Sequence, residues 1–383
     1  VMRLMYILAL SAFHADSEVL ALICLRMVQT SLNHGICDET AYGLSVLCIL
    51  CYNFGQIDDA LRFGLLSLRL QDKTESNKCL PGVYCVFYTF VHPYFHHYRS
   101  SLGPLELGYN IGMRNGDVSY ASVCIRQYCT HLFHCGEELA TVERTMRKYD
   151  KIMMEQKQEI YQKQNFPYWQ AALNLMGYSN DPEQLIGEVM DQEQLLEEAI
   201  GSRRARSTTV IYHIRSWLAY IFCNYESASR MMEKRQGIIL TSSPPFLLCS
   251  IFFVEGLISF AMAHKTDETK WRALGLKCIE EIDKYAKHSP SNCKQKLLLL
   301  QAESAFLAGE YVTAAKKYDN AIDSATENGF TQDQALAFER KGILLSNQGN
   351  DSMASVCFAQ AHNAYLKWGA KQKADLVQIK FGY

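Results

Sequence analysis

The chain has 383 residues, more than the roughly 250–300 that one hydrophobic core usually serves, so it must divide into domains or extend as repeats. Hydrophobic residues make up 49% and charged residues 20%, which is ordinary for a globular protein. A net charge of −2 gives no basic field, so we expect no nucleic-acid partner. Alternating β-branched runs are missing as well, and the sequence therefore predicts an all-α protein.

The first third of the chain is predicted to be a series of helices separated by polar turns. Residues 2–14 combine one arginine with an apolar run. They fit either a first solenoid helix or a short signal peptide, and we favour the helix. The further helices predicted before residue 136 cover 16–34, 38–53, 56–72, 81–98, 101–114 and 117–135.

The middle of the chain is strongly charged. Residues 137–163 predict one long helix with a single apolar stripe, and residues 165–167 are expected to end it. Asp181 and Pro182 then predict the start of an acidic helix over 183–200, with Asp181 as its N-cap. The carboxylates of that helix form either a solvated face or a partner-binding edge. The apolar stripe of the long helix consists of Leu139, Val142, Met146, Tyr149, Met153 and Ile160.

The last 180 residues predict helices in pairs. One apolar run, 246–263, has the length of a membrane span but carries Glu255 in its middle. A charge at the bilayer centre is unfavourable, so we interpret the run as a helix buried between neighbours and expect no membrane insertion. The predicted pairs are 204–222 with 225–238, 245–263 with 268–287, 291–307 with 310–328, and 331–347 with 351–368, followed by a helix at 370–380.

Glycines recur at steps of 20 residues, with a stretch of helical composition between them. Glycine readily adopts the left-handed conformation that ends a helix and lets the chain reverse. Two helices in about 40 residues is the period of a helical solenoid. We therefore predict that these glycines form the repeat turns: Gly35 and Gly55, Gly116 and Gly136, and the run Gly309, Gly329, Gly349 and Gly369.

A small residue recurs five positions after three of the predicted turns. Ala60, Ala314 and Ala228 each follow a bulky residue near the turn, and Cys223 replaces glycine in the third case. An alanine there allows two helices to approach closely, as in tetratricopeptide-type repeats. We predict antiparallel helical hairpins in a right-handed superhelix, as one solenoid over 1–383 with a soft division near 163–182 into 1–163 and 182–383.

The fourteen cysteines mostly lie within helical patterns, which favours buried free thiols and a cytoplasmic, reducing environment. His92, His96 and His97 are interpreted as structural, since Pro93 interrupts them. The carboxylates of 183–198 lack a nearby nucleophile or oxyanion site. One further cluster leaves a remote metal-binding alternative open, although its spacing fits no zinc module. That alternative uses Cys124, His131 and Cys135, near Cys129 and His134.

The sequence also resembles a known family. Residues 328–377, with the turn at Glu327 to Phe330 and the Ala364-Tyr365-x-x-Trp-Gly-Ala pattern, resemble the end of a helical-repeat region in very large signalling proteins. Residues 19–35 and 91–121 resemble the first and middle parts of that region. Those proteins combine a serine/threonine kinase-like domain and a STAND/AAA-type ATPase with this region, often followed by GAF and histidine-kinase or cyclase modules.

The resemblance implies a coupling segment rather than a catalytic one. The sequence agrees, since it has no GxxxxGK[ST] phosphate loop and no kinase catalytic loop. We expect a non-catalytic protein-interaction scaffold without cofactor or metal, whose partner is another protein or a neighbouring domain of the same polypeptide. The alternative is a solenoid that senses a small ligand and controls an attached ATPase. Val1 opens inside an apolar helix, which suggests a fragment of a larger protein.

Overall fold

A computed structural model describes residues 1–15, 18–74, 76–239 and 243–382. Nineteen α-helices lie in these ranges and no β-strand does, so the all-α class is confirmed. The helices up to residue 176 are α1 (Met2–His14), α2 (Val19–His34), α3 (Thr40–Asn53), α4 (Ile57–Lys73), α5 (Leu80–Val86), α6 (Leu102–Asn115), α7 (Val118–His134), α8 (Leu139–Glu155) and α9 (Glu159–Met176).

The remaining helices follow a more even spacing. They are α10 (Gln192–Gly201), α11 (Ala205–Ile221), α12 (Tyr225–Gln236), α13 (Pro245–Thr266), α14 (Thr269–His288), α15 (Pro290–Leu307), α16 (Tyr311–Glu327), α17 (Thr331–Asn347), α18 (Asp351–Trp368) and α19 (Lys371–Phe381). Consecutive helices from α14 to α19 pack against each other, as do α1 to α6, which is the antiparallel pairing of a helical-repeat fold. The handedness of the superhelix stays a prediction.

The chain forms two compact units. Unit 1 comprises Val1–His131, Tyr149–Gln162 and Leu240–Phe246, and unit 2 comprises Leu132–Lys148, Lys163–Ile239 and Leu247–Tyr383. Tyr6, Tyr42 and Tyr120 pack against one another in the core of unit 1. Tyr6 donates to Asp117 at 2.7 Å, and Tyr120 donates to Tyr42. The predicted soft division of the solenoid near 163–182 stays a prediction.

Unit 1 is irregular after α5. The predicted helix over 81–98 is wrong in its second part, because α5 ends at Val86 and passes into a π-helical turn, Phe87–Val91. A 3₁₀ turn, His92–Tyr94, follows and contains Pro93. Proline lacks the N–H that an α-helix would use there and restricts the residue before it, so the α-helix does not continue.

The predicted acidic helix over 183–200 is also wrong in its first half. Residues 177–191 form turns, and α10 begins only at Gln192, with Asp191 as the N-cap in place of Asp181. Buried side-chain amides on α9 hold this loop: Asn174 donates to the carbonyl oxygen of Gln184 at 2.6 Å, and Gln170 accepts from the backbone of Val189 at 3.1 Å. These long-range hydrogen bonds replace the helical ones, and no local pattern reveals them.

The long charged helix ends earlier than predicted. Helix α8 stops at Glu155, and Lys157 adopts a left-handed conformation with φ of 56°. The next helix, α9, continues through Pro167, so the predicted stop at 165–167 is wrong. The residues after the proline, Tyr168 and Trp169, are buried at 2% and 6% exposure, and this burial favours continuing the helix. Ile160 falls in α9 and is 43% exposed, outside the predicted stripe.

Helix α13 is the one helix in the described ranges that is long and apolar enough to cross a membrane, with a mean hydropathy of 2.1. Within the structure, 83% of that apolar window is buried. Glu255 in its middle is 4% exposed, pairs with Arg235, and accepts a hydrogen bond from Gln236 at 3.1 Å. Burial of the helix and pairing of its charge therefore account for this apolar run within unit 2.

Candidate functional site

The predicted turn glycines all adopt positive φ, between 73° and 94°. One hydrogen-bond pattern, in which the residue after the glycine donates back across the turn, recurs at Gly55, Gly116, Gly309, Gly329, Gly349 and Gly369. Glu310 donates to the carbonyl oxygen of Ala305 at 2.9 Å, and Asn350 donates to that of Leu345 at 3.0 Å. This six-to-one bond satisfies carbonyl groups that the helix end leaves open. The glycines are Gly35, Gly55, Gly116, Gly136, Gly309, Gly329, Gly349 and Gly369.

The same turn also forms without glycine. Cys223 lies where the sequence pattern replaces glycine, and its φ is 67°. Asn224 donates to the carbonyl oxygen of Ala219 at 2.8 Å, as in the glycine turns. Arg203 repeats this geometry with φ of 53°. A side chain in this conformation is strained, so the repeat geometry is maintained here against local preference.

The alanines after the turns lie at close helix contacts. Ala60, Ala228 and Ala314 are 2%, 0% and 0% exposed. The N–H of each donates to the backbone oxygen four residues earlier, in the first turn of the helix. Ala354 and Ala374 take the same place after Gly349 and Gly369, with 2% and 0% exposure. The sequence carried this signal, five residues beyond each glycine, and the prediction missed both of them.

Unit 2 contains a set of buried ion pairs that sequence reasoning did not find. We call it the charge ladder: Lys296 with Asp333, Glu303 with Arg340, and Glu339 with Lys373. The partners lie 37, 37 and 34 residues apart, about one repeat, so each pair joins one helix to the equivalent helix of the next hairpin. The helices joined are α15, α17 and α19. Charged residues that recur on the buried face at repeat spacing were the available signal.

Each pair of the charge ladder has close geometry and almost no exposure. Two guanidinium nitrogens of Arg340 each lie 2.7 Å from a carboxylate oxygen of Glu303, and Glu303 is 0% exposed. Tyr318 donates a further hydrogen bond of 2.6 Å to Glu303. Burial alone raises the pKa of Glu303, but Arg340 and Tyr318 together hold that pKa below its usual value. The carboxylate therefore stays ionised and engaged, which suits a structural link rather than acid–base chemistry.

A second feature is a set of exposed aliphatic side chains on α1 and α2 in unit 1. Helices α1 and α2 each carry a solvent-exposed stripe of aliphatic side chains at helical spacing. Single exposed leucines are normal, but a contiguous series on neighbouring helices indicates an interaction surface. We call these the N-terminal stripes: Leu4, Ile7 and Leu8 on α1, at 60%, 55% and 47% exposure, and Val19, Leu22, Leu25 and Leu32 on α2, at 49%, 67%, 53% and 81%.

The stripe of α8 provides the contrast. It has the same helical spacing, yet Leu139, Val142 and Met146 are at most 1% exposed. The exposed face of α8 carries Arg144 and Arg147 instead. Helices α1 and α2 thus differ from the first half of α8, because several of their aliphatic residues lie on the solvent side.

The candidate metal cluster shows no metal-binding geometry. The thiol of Cys124 donates to the carbonyl oxygen of Pro81 at 3.3 Å, and the ring of His131 packs against Phe246 with centroids 4.8 Å apart. Burial raises the pKa of the Cys124 and Cys129 thiols, so neither favours the thiolate that binds metal. In the described part of the chain, no group of three or more His, Cys, Asp or Glu side chains is placed to hold a metal ion.

The other candidate side chains are held in local contacts. His92 lies 3.0 Å from the hydroxyl of Ser101 and stacks near His96, and burial lowers its pKa to about 4. In the acidic segment, Glu183 accepts a hydrogen bond of 2.8 Å from Asn224, and Glu193 pairs with Arg215 at 3.4 Å.

All fourteen cysteines lie in the described ranges and are free. The sulfur atoms of Cys249 and Cys293 lie 3.2 Å apart in unit 2, and both thiols are buried. Hydrogen bonding from Cys293 and the nearby Lys296 ammonium lower the pKa of Cys249, in spite of burial.

Comparison with known proteins adds little. No protein-family model matches this chain, and no curated protein does. Among solved structures, a protein described as a circular tandem repeat protein with novel repeat topology and enhanced subunit contact surfaces aligns over 100% of this chain and 98% of its own. The identity is 11% and the TM-score 0.23, values too low to indicate a shared fold or function. The helical-repeat class rests on the helices and turns themselves.

Proposed function

We propose that this chain is a non-catalytic protein-interaction and coupling scaffold. The observation that carries the proposal is the pair of N-terminal stripes, which expose seven aliphatic side chains on the two neighbouring helices α1 and α2. Burying such a surface is favourable by about 25 cal/mol for each Å² of apolar area removed from water. A protein partner with an apolar helical face would bury these side chains.

The chemistry of the interior supports a structural role. The charged groups of the charge ladder pair with one another, and the histidine and cysteine candidates make local contacts. We therefore propose no enzyme activity, cofactor or metal for this chain. The net charge of −2 favours a protein partner over nucleic acid, and the paired Glu255 in α13 favours a buried helix over a membrane span.

The resemblance of residues 328–377 to the repeat region of ATPase- and kinase-containing signalling proteins supports the finer part of the proposal. In that context the partner is a neighbouring domain of the same polypeptide, and the scaffold transmits its state mechanically. Fourteen free cysteines support a cytoplasmic location.

The first test is the native size of the protein. An antibody against α8, whose outer face is polar, is used to blot an extract of the source cells. A band far above the 43.6 kDa of this chain supports a segment of a multidomain signalling protein. A band near 44 kDa contradicts that part and leaves a separate scaffold.

The second test addresses the N-terminal stripes. A photo-crosslinking residue is placed at Leu22 and, in a matched control, at exposed Arg144 of α8. We expect one discrete crosslinked protein or domain from position 22, identified by mass spectrometry, and its loss when Leu25→Glu is added. Equal products from both positions, or a product that survives Leu25→Glu, would contradict the proposed docking surface.

A further inference from the structure

Unit 1 contains a slot lined mainly by apolar side chains of α1, α2, α3, α5 and α7, together with the π-helical turn after α5. About 400 Å³ of it is not filled by any atom, and part of this space opens to solvent. The centre of a water-sized sphere can move through about 30 Å³, two to three times the roughly 10–15 Å³ that one water requires. The slot is therefore narrow, and it suits a slender ligand. Its apolar walls include Leu20, Val46, Ile49, Phe90 and Val123.

The lining of the slot also includes two polar side chains. Arg126 and Gln127, adjacent on α7, line the slot and are only 9% and 2% exposed. The side-chain oxygen of Gln127 is buried and has no hydrogen-bond partner among the described residues. Buried polar atoms in native proteins almost always have a partner, so this unpartnered amide oxygen beside a cavity points either to a missing hydrogen-bond donor or to an amide turned so that its NH₂ group faces an acceptor in the slot.

The backbone beside the slot is unusual. The π-helical turn Phe87–Val91 contributes Phe90 to the wall, and Val86 just before it contributes a second side chain. π-helical turns are rare and frequently lie at functional sites, where they displace side chains from the regular helical positions. Three independent features thus meet at one place: a narrow apolar slot, an unpartnered amide and a π-helical wall.

We propose that this slot binds a slender monocarboxylate, either a straight-chain acid or a single-ring acid. The planar guanidinium of Arg126 matches a carboxylate in charge and shape. The amide of Gln127 can turn to present its NH₂ group, which donates to the same carboxylate. The hydrocarbon part fills the apolar slot. This site is additional to the proposed docking surface and does not depend on it.

The test uses the full chain and a series of simple probes: hexanoate, octanoate and decanoate, the alcohols of the same lengths, and benzoate. Isothermal titration measures binding. We expect one saturable site per chain, tightening about fourfold per methylene until the slot is full and then weakening. The acids should bind at least tenfold more tightly than the alcohols, because only they pair with the guanidinium. Absence of saturable binding at 1 mM, or equal binding of acids and alcohols, would overturn the proposal.

Two variants locate the site. Arg126→Gln should weaken the best acid at least tenfold and leave the matching alcohol unchanged. Val123→Phe should fill the slot and abolish binding of both, while the exposed control Arg114→Gln on α6 should change neither. Circular dichroism checks that each variant is folded. If Arg126→Gln is unfolded, the preference for acids over alcohols and the loss of binding in Val123→Phe test the site instead. Unchanged binding in Val123→Phe would contradict the assignment.

Discussion

The interiors of the two units differ in how their buried polar groups and their space are arranged. In unit 2, the helices α15, α17 and α19 meet through the charge ladder, in which each ion has a partner at 2.6–2.7 Å. In unit 1, the interior combines tyrosines and thiols with a narrow slot and an unpartnered amide. Directional ion pairs fix one arrangement of neighbouring repeats, whereas an incompletely filled interior leaves room for another molecule. The regular repeats of unit 2 are thus joined by directional ion pairs, and the irregular region of unit 1 contains the apolar slot.

The largest expected effect comes from disrupting helix packing in unit 2. Ala314→Arg places a charged side chain where α15 and α16 meet, at a position with 0% exposure. We expect a loss of about 4 kcal/mol or more in the free energy of unfolding, because the charge is buried without a partner. Thermal melting measures it. Val312→Arg, two residues earlier and 86% exposed, is the control and should change stability by less than about 0.5 kcal/mol. Similar effects of both variants would contradict the described repeat register.

Removing one charge of the ladder should have the next largest effect. Glu303→Gln leaves Arg340 buried without its counter-ion. We expect the free energy of unfolding, measured by denaturant titration, to fall by about 3–5 kcal/mol. The exposed pair of Lys371 and Asp375 provides the control, since Asp375→Asn should cost at most about 1 kcal/mol.

The same pair predicts a pH dependence. The pKa of Glu303 lies below 4.5 in the folded chain, because Arg340 and Tyr318 outweigh the effect of burial. A lowered folded-state pKa gives stability that is present above the unfolded pKa and is lost as the pH falls through the folded value. The difference between the wild type and Glu303→Gln should therefore be full above pH 4.5 and shrink in more acidic solution. A constant difference across that range would show that folding does not lower the pKa of Glu303, and a difference that grows in acid would show that folding raises it.

Smaller effects test the turns. Gly349 has φ of 73° and open space around it, so Gly349→Ala should cost about 1 kcal/mol through backbone strain alone. Cys223 has φ of 67° in the equivalent turn, and Cys223→Gly should stabilise the chain by up to about 1 kcal/mol. Melting temperatures of the two variants should move in opposite directions. Movement in the same direction would mean that φ does not govern these turns.

The smallest effect on stability is expected at the N-terminal stripes. Leu22→Glu lies on the exposed face of α2 and should change the free energy of unfolding by less than about 0.5 kcal/mol. Met27→Glu, on the buried face of the same helix with 0% exposure, is the contrast and should destabilise strongly. A large loss of stability in Leu22→Glu would show that the stripe belongs to the core and not to a docking surface.

The regular part of the fold could be predicted closely from the sequence. The predicted helices 331–347 and 351–368 agree with α17 and α18, since glycine turns and apolar periodicity are local signals. Prediction failed where distant side chains decide the structure, as in the loop held by Gln170 and Asn174. It also failed at Pro167, where burial of the following aromatic residues outweighs a local helix-breaking signal.

The candidate sites could be predicted only in part. The turns and close-packing alanines follow from spacing, whereas the slot depends on which side chains of five separate segments fail to fill a common space. Neither spacing nor composition gives that volume. The charge ladder is partly predictable, because its residues recur at the repeat distance. Their burial, however, depends on how the helices stack.

The charge ladder also restricts how this protein can change in length. A buried leucine tolerates a modest rotation of its helix, because the hydrophobic effect has no direction. An ion pair such as Arg340 with Glu303 does not, since one inserted residue turns the rest of an α-helix by about 100° and carries the charge away from its partner. Insertions and deletions within α15, α17 and α19 should therefore be rare among natural variants. Growth or shrinkage of this part of the chain is open mainly through whole repeats.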